Sequence, residues 1–133
     1  MVDDSAADRA SVRIAFEQTG FEIDLSFAES TAQAMGLLRD GARPQPNLML
    51  LDIHMPGGSG LDLLATMKKD KSLREIPVWV LSGTNNERDI RAAYRGHASG
   101  FFRKPDDSDA LRRFADLIGR LCVEALAFPA AGD

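Results

Sequence analysis

Five side chains able to do chemistry stand directly behind apolar runs. Asp3 and Asp4 follow Val2, Asp52 follows Leu48-Met49-Leu50-Leu51, Ser82 follows Val78-Trp79-Val80-Leu81, and Lys104 follows Phe101-Phe102-Arg103. In an open α/β sheet, sites form at the carboxyl ends of the strands, so this spacing gathers the five on one rim. Three carboxylates there repel one another, and a cation or a proton must relieve them. An oxygen-only donor set from Asp3, Asp4 and Asp52 suits Mg²⁺ (or Mn²⁺), which keeps some of its waters and accepts a phosphate oxygen. Lys104 adds a compact cation and Ser82 a hydroxyl donor. Asp52 is then the nucleophile of a phosphoryl-transfer site.

Each residue has a blander reading alone. The Asp pair would simply charge a helix start, Ser82 would cap a helix, and Lys104 would be a surface lysine. Their order along one chain favours the site. Lys104-Pro105 after a strand marks a deliberate turn, and a cis peptide fits there.

The elements that must position these residues alternate helical periodicity with short apolar runs, the pattern of an α/β domain with a parallel sheet. Ser5-Ala6-Ala7-Asp8 and Ser30-Thr31-Ala32-Gln33 look like capping boxes. The first opens a helix with Val12, Ala15, Phe16 and Thr19 inward, closed by Gly20; the second opens one with Ala34, Met35, Leu37 and Leu38 inward, ending near Gly41. Residues 22–28 alternate polar and apolar, as a half-buried strand does. The continuous apolar run 47–52 suits a central parallel strand covered on both faces. A loop through Met55-Pro56-Gly57-Gly58-Ser59-Gly60 leads to a helix with Leu61, Leu64, Ala65 and Met67 inward. A strand at 78–81, a helix at 86–94, a strand at 101–103 and a helix at 108–121 complete the set.

With 133 residues, a 44% apolar and 27% charged composition and a net charge of −4, the chain has the size of one domain. That charge disfavours non-specific binding to nucleic acid or anionic membranes. One cysteine and two distant histidines make neither a disulfide nor a zinc cluster. No apolar run reaches the roughly 18 residues of a membrane span. The expected location is cytoplasmic.

The set Val2-Asp3-Asp4-Ser5, Leu50-Leu51-Asp52-Ile53-His54-Met55-Pro56 with Gly60, Val80-Leu81-Ser82-Gly83 and Phe101-Phe102-Arg103-Lys104-Pro105 resembles a response-regulator receiver domain over essentially the whole chain. The resemblance implies a flavodoxin-like, doubly wound sheet of five parallel strands in the order 2-1-3-4-5. It implies that residues 1–133 are a single receiver domain, with 122–133 as a C-terminal extension. It implies that Asp52 receives phosphate from a sensor histidine kinase of a two-component system, that Ser82 and Phe101 form the switch pair, and that the response appears on the surface of the fourth helix, fifth strand and fifth helix. The side chain of His54 reads more as that of an exposed loop residue that only gates water than as a ligand, while its carbonyl is expected to join Asp3, Asp4 and Asp52 as a metal ligand. Arg74-Glu75-Ile76-Pro77, residues 86–94 and the tail 123–129 further resemble the small regulators that work with bacterial phytochromes.

Two other classes compete. A phosphate hydrolase of the haloacid-dehalogenase type also uses Asp, Ser, Lys and Mg²⁺, but carries a second Asp two residues after the nucleophile, where this chain has His54. A pseudo-receiver would bind partners without phosphorylation; the complete site argues against it. The chain is therefore read as a switch rather than an enzyme, with at most slow autodephosphorylation.

Four expectations remain. Arg88, Arg91, Arg95, Arg103, Arg112, Arg113 and Arg120 mark an interaction surface. A homodimer would pair Asp89 and Arg91 with Arg112, Arg113 and Asp116, extended by Leu121, Val123, Leu126 and Phe128. His97 stands where the family carries glycine, so either His97 or Gly96 takes the left-handed conformation. Only Met1 and Val2 precede the Asp pair, too few for a central strand, so the natural polypeptide is expected to begin about four to six residues upstream, or another chain to supply the strand.

Overall fold

Side-chain caps begin the helices of this chain, whose computed structural model describes residues 1–129. Residues 130–133 of the expected C-terminal extension lie outside the described residues. Helix α1 (Ala6–Thr19) starts where Ser5 Oγ accepts from the Asp8 amide at 3.1 Å, and stops at Gly20, whose φ of 77° is left-handed. Helix α2 (Thr31–Leu38) starts where Ser30 accepts from the Gln33 amide at 3.0 Å, and Gln33 Oε1 in turn accepts from the Glu29 amide at 2.7 Å. Ser59, Asn86 and Asp107 cap α3 (Gly60–Lys69), α4 (Glu87–Arg95) and α5 (Ser108–Arg120). Beyond α5 the chain widens into a π turn, Leu121–Ala125.

Strands β1 (Met49–Leu51), β2 (Val78–Ser82) and β3 (Gly100–Arg103) form a parallel sheet in that order. Met49 faces Val78, and Trp79 faces Gly100. Residues 22–27 form no strand. Of the alternating segment 22–28, only Ala28 pairs, in an isolated parallel bridge to Val2. Alternation shows which way side chains point, but a ladder also needs a partner at each step, and residues 1–3 accompany only its end. Val2 bridges Leu51 as well, so it lies between Ala28 and β1. The place expected for a first strand is thus occupied by one residue, its amide donating to Leu50 O at 2.8 Å and its carbonyl accepting from the Asp52 amide at 3.0 Å.

Residues 1–4 and 27–104 form one contact unit, and residues 5–26 with 105–129 belong to the second. In the first, Val2, Met49, Leu51, Val78 and Val80 pack with Ala34 and Leu38 of α2, Leu63, Leu64 and Met67 of α3, and Ala93 of α4. Each fully buried Leu or Met there contributes about 1.5–3 kcal/mol. Leu63 replaces Ala65 on the inner stripe of α3: Gly60 opens that helix against the backbone, and positions 63, 64 and 67 follow at helical spacing, leaving Ala65 exposed. Gly100 makes room for Trp79, since a Cβ there would lie 2.6 Å from Trp79 Cζ3. Trp79 stacks on Phe102 with centroids 5.5 Å apart. In the second unit α1 and α5 are in contact, with buried stripes of Val12, Ala15 and Phe16 and of Phe114, Ala115 and Ile118.

The left-handed residue after α4 is His97, at φ 69°, while Gly96 sits at φ −79°. No peptide bond among the described residues is cis, so the turn at Lys104-Pro105 is made with trans geometry.

Candidate functional site

Sheet pairing delivers the acidic residues to one corner. The Asp52 amide is held by Val2 and the Asp3 amide donates to Ala28 O at 3.0 Å, so the carboxylates emerge side by side where these segments end. One carboxylate oxygen from each of Asp3, Asp4 and Asp52 lies within 4.8 Å of the others. Asp3 is fully buried, Asp52 is 5% exposed, and Asp4 reaches solvent. Gly60 lets the start of α3 approach the Asp52 backbone: a Cβ at position 60 would collide with Asp52 O and lie 2.7 Å from Ile53 Cα.

Lys104 arrives from β3. Its amide donates to Ser82 O at 2.7 Å, and its Nζ lies 2.9 Å from Asp3 Oδ2 and 3.2 Å from Asp52 Oδ2. The other oxygen, Asp52 Oδ1, accepts from the His54 amide at 3.0 Å. Burial pushes the Asp52 carboxyl above its usual range. The His54 amide and the Lys104 charge pull it back, and neighbouring Asp3 adds to the rise. Ser82 is fully buried, and its Oγ accepts from the Thr84 amide at 3.3 Å, leaving its own hydrogen to donate elsewhere. Phe101 is half-buried and packed against the core. The sequence thus found Asp3, Asp4, Asp52 and Lys104 as a cluster. The donor set, three carboxylates of which two are desolvated, fits a hard divalent cation.

Sequence reading missed the role of Asp89, expected on the outer face for pairing across a dimer. It is buried instead, 7% exposed, and its Oδ2 lies 2.6 Å from His54 Nε2 and 2.9 Å from Asn86 Nδ2. The bond from His54 does most to hold the Asp89 carboxyl below the usual range. The spacing Asn86-Glu87-Arg88-Asp89 of a helix cap was the available signal. Arg91 and Asp116, also expected at the dimer contact, each pair within their own helix, with Glu87 at 3.0 Å and Arg120 at 2.9 Å. No helix among the described residues is long and apolar enough to cross a membrane.

Known proteins resemble this chain in sequence and fold. The model of the response regulator receiver domain matches residues 1–116. The response regulator Rcp1 of Synechocystis sp. is 30% identical, covering 98% of this chain and 92% of its own. A probable methanogenesis regulatory protein, FilR2 of Methanothrix harundinacea, is 31% identical over 89% of this chain and 78% of its own. The Mn²⁺-bound form of Rcp1 superposes with a TM-score of 0.87 over 97% of this chain and 96% of that one. A phosphorylated cyanobacterial phytochrome response regulator, RcpA, gives 0.88 at 28% identity, over 97% and 95%. Matched along the sequence and in the fold, the chain belongs to the response regulator receiver family, the phosphoacceptor component of two-component signalling.

Proposed function

We propose that Asp52 is the phosphoacceptor. The observation that carries this reading is Lys104 Nζ set between Asp3 and Asp52 at 2.9 and 3.2 Å, beside a third carboxylate. A carboxylate oxygen of Asp52 attacks phosphorus, the bond to the donor breaks, and an acyl phosphate remains. Lys104 is positioned to follow the charge as it moves onto the phosphoryl oxygens, and Ser82 Oγ donates to one of them. Asp3, Asp4 and Asp52, with the carbonyl of His54, would hold Mg²⁺ or Mn²⁺, which offsets the charge that an incoming phosphoryl group adds.

The donor is proposed to be a sensor histidine kinase. The resemblance to Rcp1 and RcpA suggests one coupled to a bacterial phytochrome. Beside a kinase that draws on ATP, the chain would act in the cytoplasm as one receiver domain over residues 1–133, with no nucleic-acid partner. Its sheet would follow the order 2-1-3-4-5, with Val2 as the stub between Ala28 and β1. When Ser82 moves to the phosphoryl group, Phe101 turns into the space released, and the α4 and β3 surface changes for a protein partner. Turnover is limited to slow autodephosphorylation.

Incubation with a small phosphodonor tests this by intact mass. One phosphoryl adduct is expected with Mg²⁺, little with chelator, and none in Asp52→Asn. An equal adduct with chelator, or one surviving in Asp52→Asn, overturns the assignment.

A further inference from the structure

Asp52 and Ser82 are joined by a second path, made of side chains that the phosphoryl chemistry does not use. Asp52 Oδ1 accepts from the His54 amide at 3.0 Å, and the ring of the same His54 reaches Asp89 Oδ2 at 2.6 Å. Asp89 Oδ2 also accepts from Asn86 Nδ2 at 2.9 Å and from Thr84 Oγ1 at 3.4 Å. The Thr84 amide then donates to Ser82 Oγ at 3.3 Å, which closes the circuit. We propose that Asp89 is a positioning residue for the phosphoacceptor: through the His54 ring it fixes the loop whose amide holds Asp52, and so ties the first turn of α4 to Asp52 by a route separate from Phe101.

The His54 side chain is 56% exposed and has water available, yet its ring is held at the short end of hydrogen-bond distances by a carboxylate only 11% exposed. A buried carboxylate is costly unless it is hydrogen-bonded, and Asn86, Thr84 and His54 all converge on Asp89 Oδ2. His54 is therefore two-ended. Its backbone faces Asp52 and its ring faces α4. A phosphoryl group on Asp52 changes what that carboxylate can accept, the His54 amide must respond, and the ring carries the displacement to Asp89 in the capped turn of α4. A bistable element biased from the site is what coupling requires.

The alternative is that Asp89 only completes the α4 cap with Asn86, in which case its effect is independent of residue 54. Removing the ring leaves Asp89 with two donors, so the fold survives the test. This inference rests on Asp52 being the phosphoacceptor, and the experiment separates the two. Wild type, His54→Leu, Asp89→Asn, the double variant and His54→Gln are loaded with a small phosphodonor and Mg²⁺, and adduct lifetime is followed by mass after donor removal. His54→Leu and Asp89→Asn should each change the lifetime about three- to tenfold, and the double variant no further than either alone, as for residues in one hydrogen-bond network. His54→Gln, which keeps a donor near that place, should recover most of the change seen in His54→Leu. Additive effects, an unchanged lifetime in Asp89→Asn, or no recovery with Gln overturns the coupling while leaving the phosphoacceptor reading intact. No adduct in the wild type overturns that reading and the coupling with it.

Discussion

Asp52 is held against opposing forces, and their balance has a measurable sign. Desolvation, joined by the charge of Asp3, disfavours its charged form more than Lys104 and the His54 amide favour it, so its folded pKa lies above its unfolded one. The stability this carboxyl supplies is complete below the unfolded pKa and is lost as pH rises through the folded value. At pH 7 in chelator the buried charge is therefore a net cost. Asp52→Asn removes that cost while Lys104 keeps Asp3 as a partner. The variant should be more stable than wild type, with a higher Tm. The gain should shrink as pH falls toward 4 and as divalent cation is added to the wild type. Thermal unfolding with and without chelator measures it, and a destabilised variant at pH 7 would show that the Lys104 pair outweighs burial.

At the scale of elements, the end of α4 carries strain that one substitution removes. His97 is exposed at φ 69°, a conformation in which a Cβ is unfavourable and glycine is not. His97→Gly should raise stability by about 0.5–1 kcal/mol, less the entropy that glycine adds to the unfolded chain. Chemical denaturation gives the value; an unchanged or lower midpoint would mean that the imidazole makes a compensating contact. Helices were the legible part of this fold, because their starts are written in single residues. Ser5 and Ser30 cap as their spacing suggests, and the runs 49–51 and 78–82 became strands because continuous apolar character suits a parallel sheet. Residues 22–27 were misread since alternation does not reveal whether a partner runs alongside. Asp3, Asp4, Asp52 and Lys104 were legible as a cluster through their places at strand ends. Asp89 was not, because a carboxylate on a polar helix reads as solvated until the ring of His54 is seen beside it.

For the whole molecule, the question is what covers the apolar groups left outside. Leu117 of α5, Val123 of the π turn and Leu126 are 47%, 55% and 36% exposed. We propose a homodimer in which this stripe carries more of the contact than charge does. Asp89 is engaged internally, and exposed ion pairs such as Arg91 with Glu87 contribute only about 0–1 kcal/mol each. A dimer mass is expected by light scattering at about tens of micromolar, and Val123→Glu with Leu126→Glu should bring it to the monomer. A monomeric wild type, or a dimer indifferent to both substitutions, would remove this stripe from consideration.

The seat that Gly100 provides for Trp79 has a practical consequence. This is the one tryptophan of the chain, it lies on the strand that ends at Ser82, and it is stacked on the neighbour of Phe101. Its indole nitrogen is buried with no hydrogen-bond partner among the described residues. Light taken up by this half-buried indole is therefore re-emitted from beside Phe102, with the ring nitrogen shielded from solvent. Any slip of β2 against β3 alters the overlap with Phe102 or admits water to the indole, and the emission changes colour. The protein carries its own optical gauge, readable without a dye.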